Sequence, residues 1–247
     1  MERIVLRRNA SPVYGFLSAI VEQGGEEEHS PGGRILDCGA GGPLPPLALF
    51  YQHGFDCWGI DVSEEQLALA QAYSDEHGMK LDLRKADMRQ IPFGDCFFDH
   101  VYEHFSMCHL GKRDTAVTIG EMQRVLKPGG LCLLGMVSAD SWPYVSFGEE
   151  REPGEFWSEE GDGQERVHSL FADGEADALV AGWDLLRKEK RIVTLHHLAD
   201  RSSMEEWVEL RPAGWTESSW RREYARRAVH FRYVHLTYWL KKGVRPA

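Results

Sequence analysis

The stretch from Arg34 to Pro43 limits most sharply what this chain can fold into. It opens on apolar Ile35 and Leu36, reaches the acid Asp37, runs through Cys38, Gly39, Ala40, Gly41 and Gly42, and turns apolar again at Leu47, Ala48 and Leu49. That order reads as a buried strand, a tight glycine turn and the start of a helix. With no Cβ in the way, backbone amides of such a turn come close to a ligand. Turns of this kind also punctuate ordinary α/β proteins, so by itself the stretch specifies no ligand.

A second acid narrows the choice. Cys57-Trp58-Gly59-Ile60 ends in Asp61, 22 residues after Gly39. A carboxylate at the tip of the second strand, about 20 residues past the glycine turn, takes the hydroxyls of a ribose. The pair reads as a nucleoside-cofactor site. The glycines are spaced GxGG rather than GxGxxG, which weighs against an NAD-type dehydrogenase. GxxxxGK[ST] is absent, which disfavours an ATP-hydrolysing P-loop.

The remaining periodicity supports an α/β chain. Asn9 and Ser11-Pro12 start a helix carrying Val13, Phe16, Leu17 and Ile20 at helical spacing, and a polar Gly24–Gly33 loop follows. Pro45 to His53 reads as a helix stopped by Gly54, and Ser63 with Gln66 forms a capping box. Lys80–Lys85 and Phe97–Tyr102 suit strands. Lys112–Leu126 suits a helix ended by Lys127-Pro128-Gly129-Gly130, and Leu131–Val137 suits a strand buried on both faces. Ser138–Ser169 is an irregular aromatic segment with eight acids between Glu149 and Glu165 and one base, Arg151. Such a segment after the fifth strand suits a substrate lid, at about 138–170. Its acids would favour a cationic substrate, or form a solvated loop. Phe171–Ala181 and Trp215–Ala228 are read as helices, Ser202–Arg211 as a short helix, and Trp183–Leu195 and Phe231–Leu240 as strands.

Five motifs in order resemble the class I S-adenosylmethionine (SAM)-dependent methyltransferases, closest to their small-molecule branch. They are Asp37-Cys38-Gly39-Ala40-Gly41, Gly59-Ile60-Asp61-Val62-Ser63, Ala86-Asp87-Met88-Arg89-Gln90-Ile91-Pro92-Phe93, Phe98-Asp99-His100-Val101-Tyr102 and Val125-Leu126-Lys127-Pro128-Gly129-Gly130. The resemblance covers about residues 10 to 137. It departs at Pro43, where the family often has a third glycine. It implies a Rossmann-like, mostly parallel seven-stranded sheet with an antiparallel last strand beside the fifth, helices on both faces, and one domain over 1–247. It implies SAM as cofactor, S-adenosylhomocysteine as product and a small-molecule acceptor.

The cofactor-binding set expected on this basis is Asp37, Cys38, Gly39, Ala40, Gly41, Asp61, Val62, Gln66, Asp87, Met88, Tyr102 and Glu103. Asp37 faces the cationic sulfonium and ammonium. In the family an acid at Asp87 accepts from the adenine amino group and the next residue, Met88, packs on the ring; Asp87 also reads as a simple turn residue. Tyr14 is the aromatic that a family-type first helix would bring near the cofactor, or plain packing. His104 or Glu103 could serve as general base, since histidine titrates near neutrality; both could equally be pocket lining. His168, in His168-Ser169-Leu170-Phe171, lies in a segment resembling the substrate side of small-molecule methyltransferases. Tyr102-Glu103-His104-Phe105 replaces the Asn/Asp-Pro-Pro-Tyr of many amino-group methyltransferases, which disfavours planar nucleic-acid amines as acceptors. A SAM-binding module without turnover is the alternative.

Composition adds bounds. A net charge of −11 argues against generic nucleic-acid binding, although eight Arg/Lys against two Glu from Gly214 onward form a basic end. The five cysteines, Cys38, Cys57, Cys96, Cys108 and Cys132, show no CxxC, so neither a disulfide framework nor a metal site is expected and a cytoplasmic setting fits. No apolar run approaches the roughly 20 residues of a membrane span, so no membrane partner is expected. The N-terminal residues lack the apolar core of a secretory signal.

Overall fold

The computed structural model describes residues 11–23, 33–141, 148–159, 163–195, 208–209, 211, 214–222 and 231–244. The first half alternates strand and helix: α1 (Ser11–Gln23), β1 (Arg34–Cys38), α2 (Leu47–Gln52), β2 (Asp56–Asp61), α3 (Glu64–Glu76), β3 (Leu81–Lys85), β4 (Phe98–Tyr102), α4 (Lys112–Val125) and β5 (Leu126–Ser138). There follow β6 (Glu149–Glu152), β7 (Glu155–Glu159), β8 (Glu165–Phe171), α5 (Asp173–Leu179), β9 (Asp184–Leu195) and β10 (Phe231–Lys241).

Seven strands pair in the order β3-β2-β1-β4-β5-β10-β9, with the last strand antiparallel beside the fifth as the resemblance implies. The first five run parallel. β10 enters antiparallel between β5 and β9, in register from His235 opposite Val137 to Lys241 opposite Leu131. Alternate residues feed two cores, because successive strand side chains point to opposite faces. Leu36 and Cys38, Cys132, Leu134 and Met136, and Leu236, Tyr238 and Leu240 pack with Ile119, Met122 and Val125 of α4 and Ala176 of α5. Ile35, Leu131, Leu133 and Trp239 pack on the other face with Val13, Phe16 and Leu17 of α1 and Leu47 to Phe50 of α2. A sheet covered on both faces needs near-continuous apolar strands, which is why β5 reads as an apolar run.

Two expectations change. The segment after β5 is not irregular where it is described. β6, β7 and β8 form an antiparallel meander, bringing the sheet to ten strands, and β8 continues the β4 side of β5 beyond Tyr102 through Val137–Leu170 and Ser138–Phe171. Lys127-Pro128-Gly129-Gly130 does not follow α4 as a separate stop; it is the extended start of β5. Its backbone finds partners past the end of β10, with Gly129 N–H donating to the Lys242 carbonyl at 2.8 Å and Lys242 N–H to the Gly130 carbonyl at 2.9 Å. The Lys242 ammonium donates to the carbonyls of Leu126 (2.6 Å) and Gln123 (2.7 Å), which places a cation at the C-terminus of α4. Arg232 donates to the Asp140 carbonyl. These two bases of the C-terminal segment are therefore engaged within the fold. Most of the expected Ser202–Arg211 helix and the end of the expected Trp215–Ala228 helix lie outside the described residues; 208–209 and 217–222 are helical. Among the described residues no helix is long and apolar enough to cross a membrane.

Candidate cofactor and acceptor site

The carboxyl ends of β1, β2, β3 and β4 open on one cleft of about 1030 Å³, at the position where open α/β sheets bind ligands. Its floor is the glycine turn. Gly39 and Ala40 N–H both donate to the Ile60 carbonyl (2.8 and 3.0 Å), which ties the turn to β2. The two key glycines are required for different reasons. Gly39 has φ +112°, and a Cβ there would lie 1.9 Å from Ser106 Oγ. A Cβ on Gly41 would lie 2.5 Å from Gln66 Cβ and 2.7 Å from Asp61 Oδ2. Gly42 carries the next positive φ, +104°, and Pro43 is exposed beyond it, so the missing third glycine leaves the turn intact. Gly39→Ala is expected to destabilise the protein by about 2–3 kcal/mol, from left-handed strain and overpacking. A thermal midpoint equal to that of the parent would contradict this.

Asp61 is fixed before any ligand arrives. Its Oδ2 accepts from Gly41 N–H at 3.1 Å and its Oδ1 from Ser63 N–H at 2.8 Å. The capping box is therefore half formed. Ser63 Oγ accepts from Gln66 N–H, but Asp61 takes the Ser63 N–H that the Gln66 side chain would otherwise claim. Gln66 and Val62 line the cleft instead.

Asp37 lies at the bottom, 1% exposed, accepting from the Tyr102 hydroxyl at 2.7 Å. Burial pushes its pKa up to about 8 against the pull of the Tyr102 hydrogen bond, and the acids Glu103 and Asp61 push it further. A carboxylate so placed favours a cationic ligand group, which would supply the countercharge that water cannot. Cys38 and Ala40 are wholly buried under the turn and contribute backbone and packing.

Glu103, a candidate base from the sequence, has other work. It is fully buried, and its oxygens accept from the N–H groups of Ser106 (3.0 Å), Met107 (3.1 Å) and Gly135. It braces the segment after β4 against β5 and does not line the cleft. Burial raises its pKa to about 7, opposed by those amides. The braced segment holds Phe105 at φ +66°, a strained value for a bulky residue, with its ring 4.0 Å from that of His235. His104 lines the cleft beside Phe105; His168 does not, but its ring packs edge-on at 4.9 Å against that of His109, which does.

At the other end, Asp87 and Met88 line the cleft as expected. Asp87 holds Arg89 by hydrogen bonds of 2.6–3.0 Å, and Arg89 reaches Asp114 of α4 at 2.6 Å. The Arg89 guanidinium keeps the Asp87 carboxyl below its ordinary value. Tyr14 is half-buried in the core on the α1 face and does not line the cleft. Sequence reading missed Arg89, His109 and Trp157. Arg89 and His109 stood beside named residues, but only the fold turns them inward. Trp157 sat in a segment with no readable period.

Residues 36–134 match the model of a methyltransferase domain. The chain is 28% identical over 167 residues to a sterol 24-C-methyltransferase of Pneumocystis carinii, an overlap of 64% of this chain and 42% of that protein. It is 35% identical over 100 residues to an O-methyltransferase of Aspergillus nomiae, covering 40% of this chain and 44% of that one. The chain thus spans under half the length of these curated relatives. A solved SAM-dependent methyltransferase from Methanosarcina mazei superposes with a TM-score of 0.63 at 18% identity, over 87% of this chain and 95% of that one, a likeness of fold. Domain match, strand order and glycine-turn geometry agree: residues 36–134 carry a methyltransferase domain, set in the fold of SAM-dependent methyltransferases, and SAM is the cofactor of this domain.

Proposed function

We propose that this protein transfers the methyl group of SAM to a small-molecule acceptor. The observation that carries the reading is Asp37, a buried carboxylate under a glycine turn whose two inner positions admit no Cβ. The residues present fit the cofactor. Asp37 would hold its cationic end, the Gly39–Gly41 backbone its methionine portion, Asp61 the ribose, and Asp87 with Met88 the adenine. The cofactor supplies a methyl group already activated on a sulfonium. The chain's own contribution is then alignment and exclusion of water by the cleft walls. A base is needed only when the acceptor arrives protonated; His104 is the sequence-predicted base that lines the cleft.

A single domain closed by the 138–170 lid, a cytoplasmic setting and no nucleic-acid partner complete the proposal. Supporting them are four buried free cysteines and the net charge of −11. A SAM-binding module without turnover differs in one observable, methylated product formed from a bound acceptor. For the ribose assignment, Asp61→Ala is expected to weaken SAM binding by about 1–3 kcal/mol, the scale of a lost charged acceptor. Unchanged affinity in a folded variant would contradict it.

A further inference from the structure

We propose that the outer half of the cleft takes a neutral acceptor with a planar ring, stacked on Trp157, with its polar group toward His109. The inference rests on the methyltransferase reading and adds the acceptor's chemical class. Three observations lead to it. First, the cleft, at about 1030 Å³, stands at the upper end of the roughly 300–1,000 Å³ of ordinary small-molecule sites and extends from the glycine turn to Trp157 of the meander.

Second, the meander contributes an aromatic side chain to the cleft wall. Trp157 of β7 lines the cleft, and the Arg151 guanidinium covers its ring at 5.2 Å from the centroid. Arg151 is held in turn by paired hydrogen bonds to Glu165. The meander carrying Trp157 is fastened to the segment after β4. Glu155 accepts from Lys112 N–H at 2.6 Å, and the Ser169 hydroxyl donates to the Leu110 carbonyl at 2.5 Å. An aromatic wall positioned by its own fold stacks a flat ligand with little ordering cost.

Third, three of the eight acids that suggested a cationic substrate are engaged within the fold. Glu155 serves α4, Glu150 accepts from Gly154 N–H, and Glu165 pairs with Arg151. The two charged residues of β8 that line the cleft, Glu165 and Arg166, have opposite signs. His109 lines the cleft and packs on His168 of the same meander, which brings a polar imidazole to this wall.

The test is calorimetry on the full chain saturated with S-adenosylhomocysteine, using 2-naphthol, decahydro-2-naphthol, choline and 2-naphthoate as probes. 2-Naphthol is expected to bind at least tenfold more tightly than the other three. Trp157→Ala should cost it tenfold or more, Trp157→Phe should restore most of that, and His109→Ala should cost at least threefold. S-Adenosylhomocysteine affinity, measured in each variant, should stay within twofold and serves as the check of fold. Preference for choline, naphthoate or the saturated alcohol would overturn the proposal, as would no naphthol binding or no effect of Trp157→Ala. Failure of S-adenosylhomocysteine to bind the parent protein would instead overturn the methyltransferase reading beneath it.

Discussion

Asp37→Asn is expected to weaken SAM binding about 100-fold, close to 2.7 kcal/mol, while leaving the ligand-free protein as stable as the parent or more so at pH 8. Both effects follow from one placement. The Asp37 carboxyl is buried beside Tyr102, Glu103 and Asp61, with Cys38 next to it, and no ion pair reaches it among the described residues. Its folded pKa of about 8 lies above the ordinary 3.8, so the folded state holds the proton where the unfolded chain has lost it. The stability this group contributes is fully present below about pH 4 and gone above about pH 8. Asparagine removes that titration, and about 1 kcal/mol regained at pH 8 corresponds to roughly 2–4 °C in Tm. SAM, which needs the ionised form, should bind the parent about tenfold more tightly per pH unit from pH 6 to 8 and level off above that. Calorimetry across this range checks the slope. A flat profile in the parent would show that Asp37 does not face the cation.

Glu103→Ala is expected to be the more damaging change to the fold, by about 3–4 kcal/mol, because it leaves several buried amide donors without an acceptor. The amides of Ser106, Met107 and Gly135 lose their shared partner, and Phe105 loses the brace that holds it at φ +66°. Glu103→Gln keeps one acceptor oxygen and should cost less. Denaturant unfolding of the two variants measures the difference. If Glu103→Ala unfolds like the parent yet loses turnover, the carboxylate belongs to the chemistry and not to the brace.

The contrast between these two acids shows what a sequence exposes. The place of Asp37 was legible because it follows from local order: a strand end, then glycines, then a second acid at fixed distance. The same locality made the β1–β5 frame and the position of Asp61 readable, while the antiparallel β10 and the position of Asp87 came from the family resemblance. Glu103 was not, since a carboxylate one residue past a strand looks the same whether it faces a ligand or the amides of a distant strand. Its true partner, Gly135, lies 32 residues away. The meander failed for a related reason. β6 is exposed at every position, Glu165 of β8 pairs with Arg151 of β6 and Glu155 of β7 accepts from α4, so neither strand alternation nor helical period survives there. Gln66 shows the intermediate case, where the cap was readable but Asp61 displaced half of it.

Parallel calorimetric titration of the full chain with SAM, S-adenosylhomocysteine and NAD tests the cofactor assignment most directly. Micromolar binding of the first two and none of NAD is the expected result. Binding of NAD with none of SAM would contradict the assignment of Asp37, Gly39, Gly41 and Asp61, and with it the function proposed for the cleft.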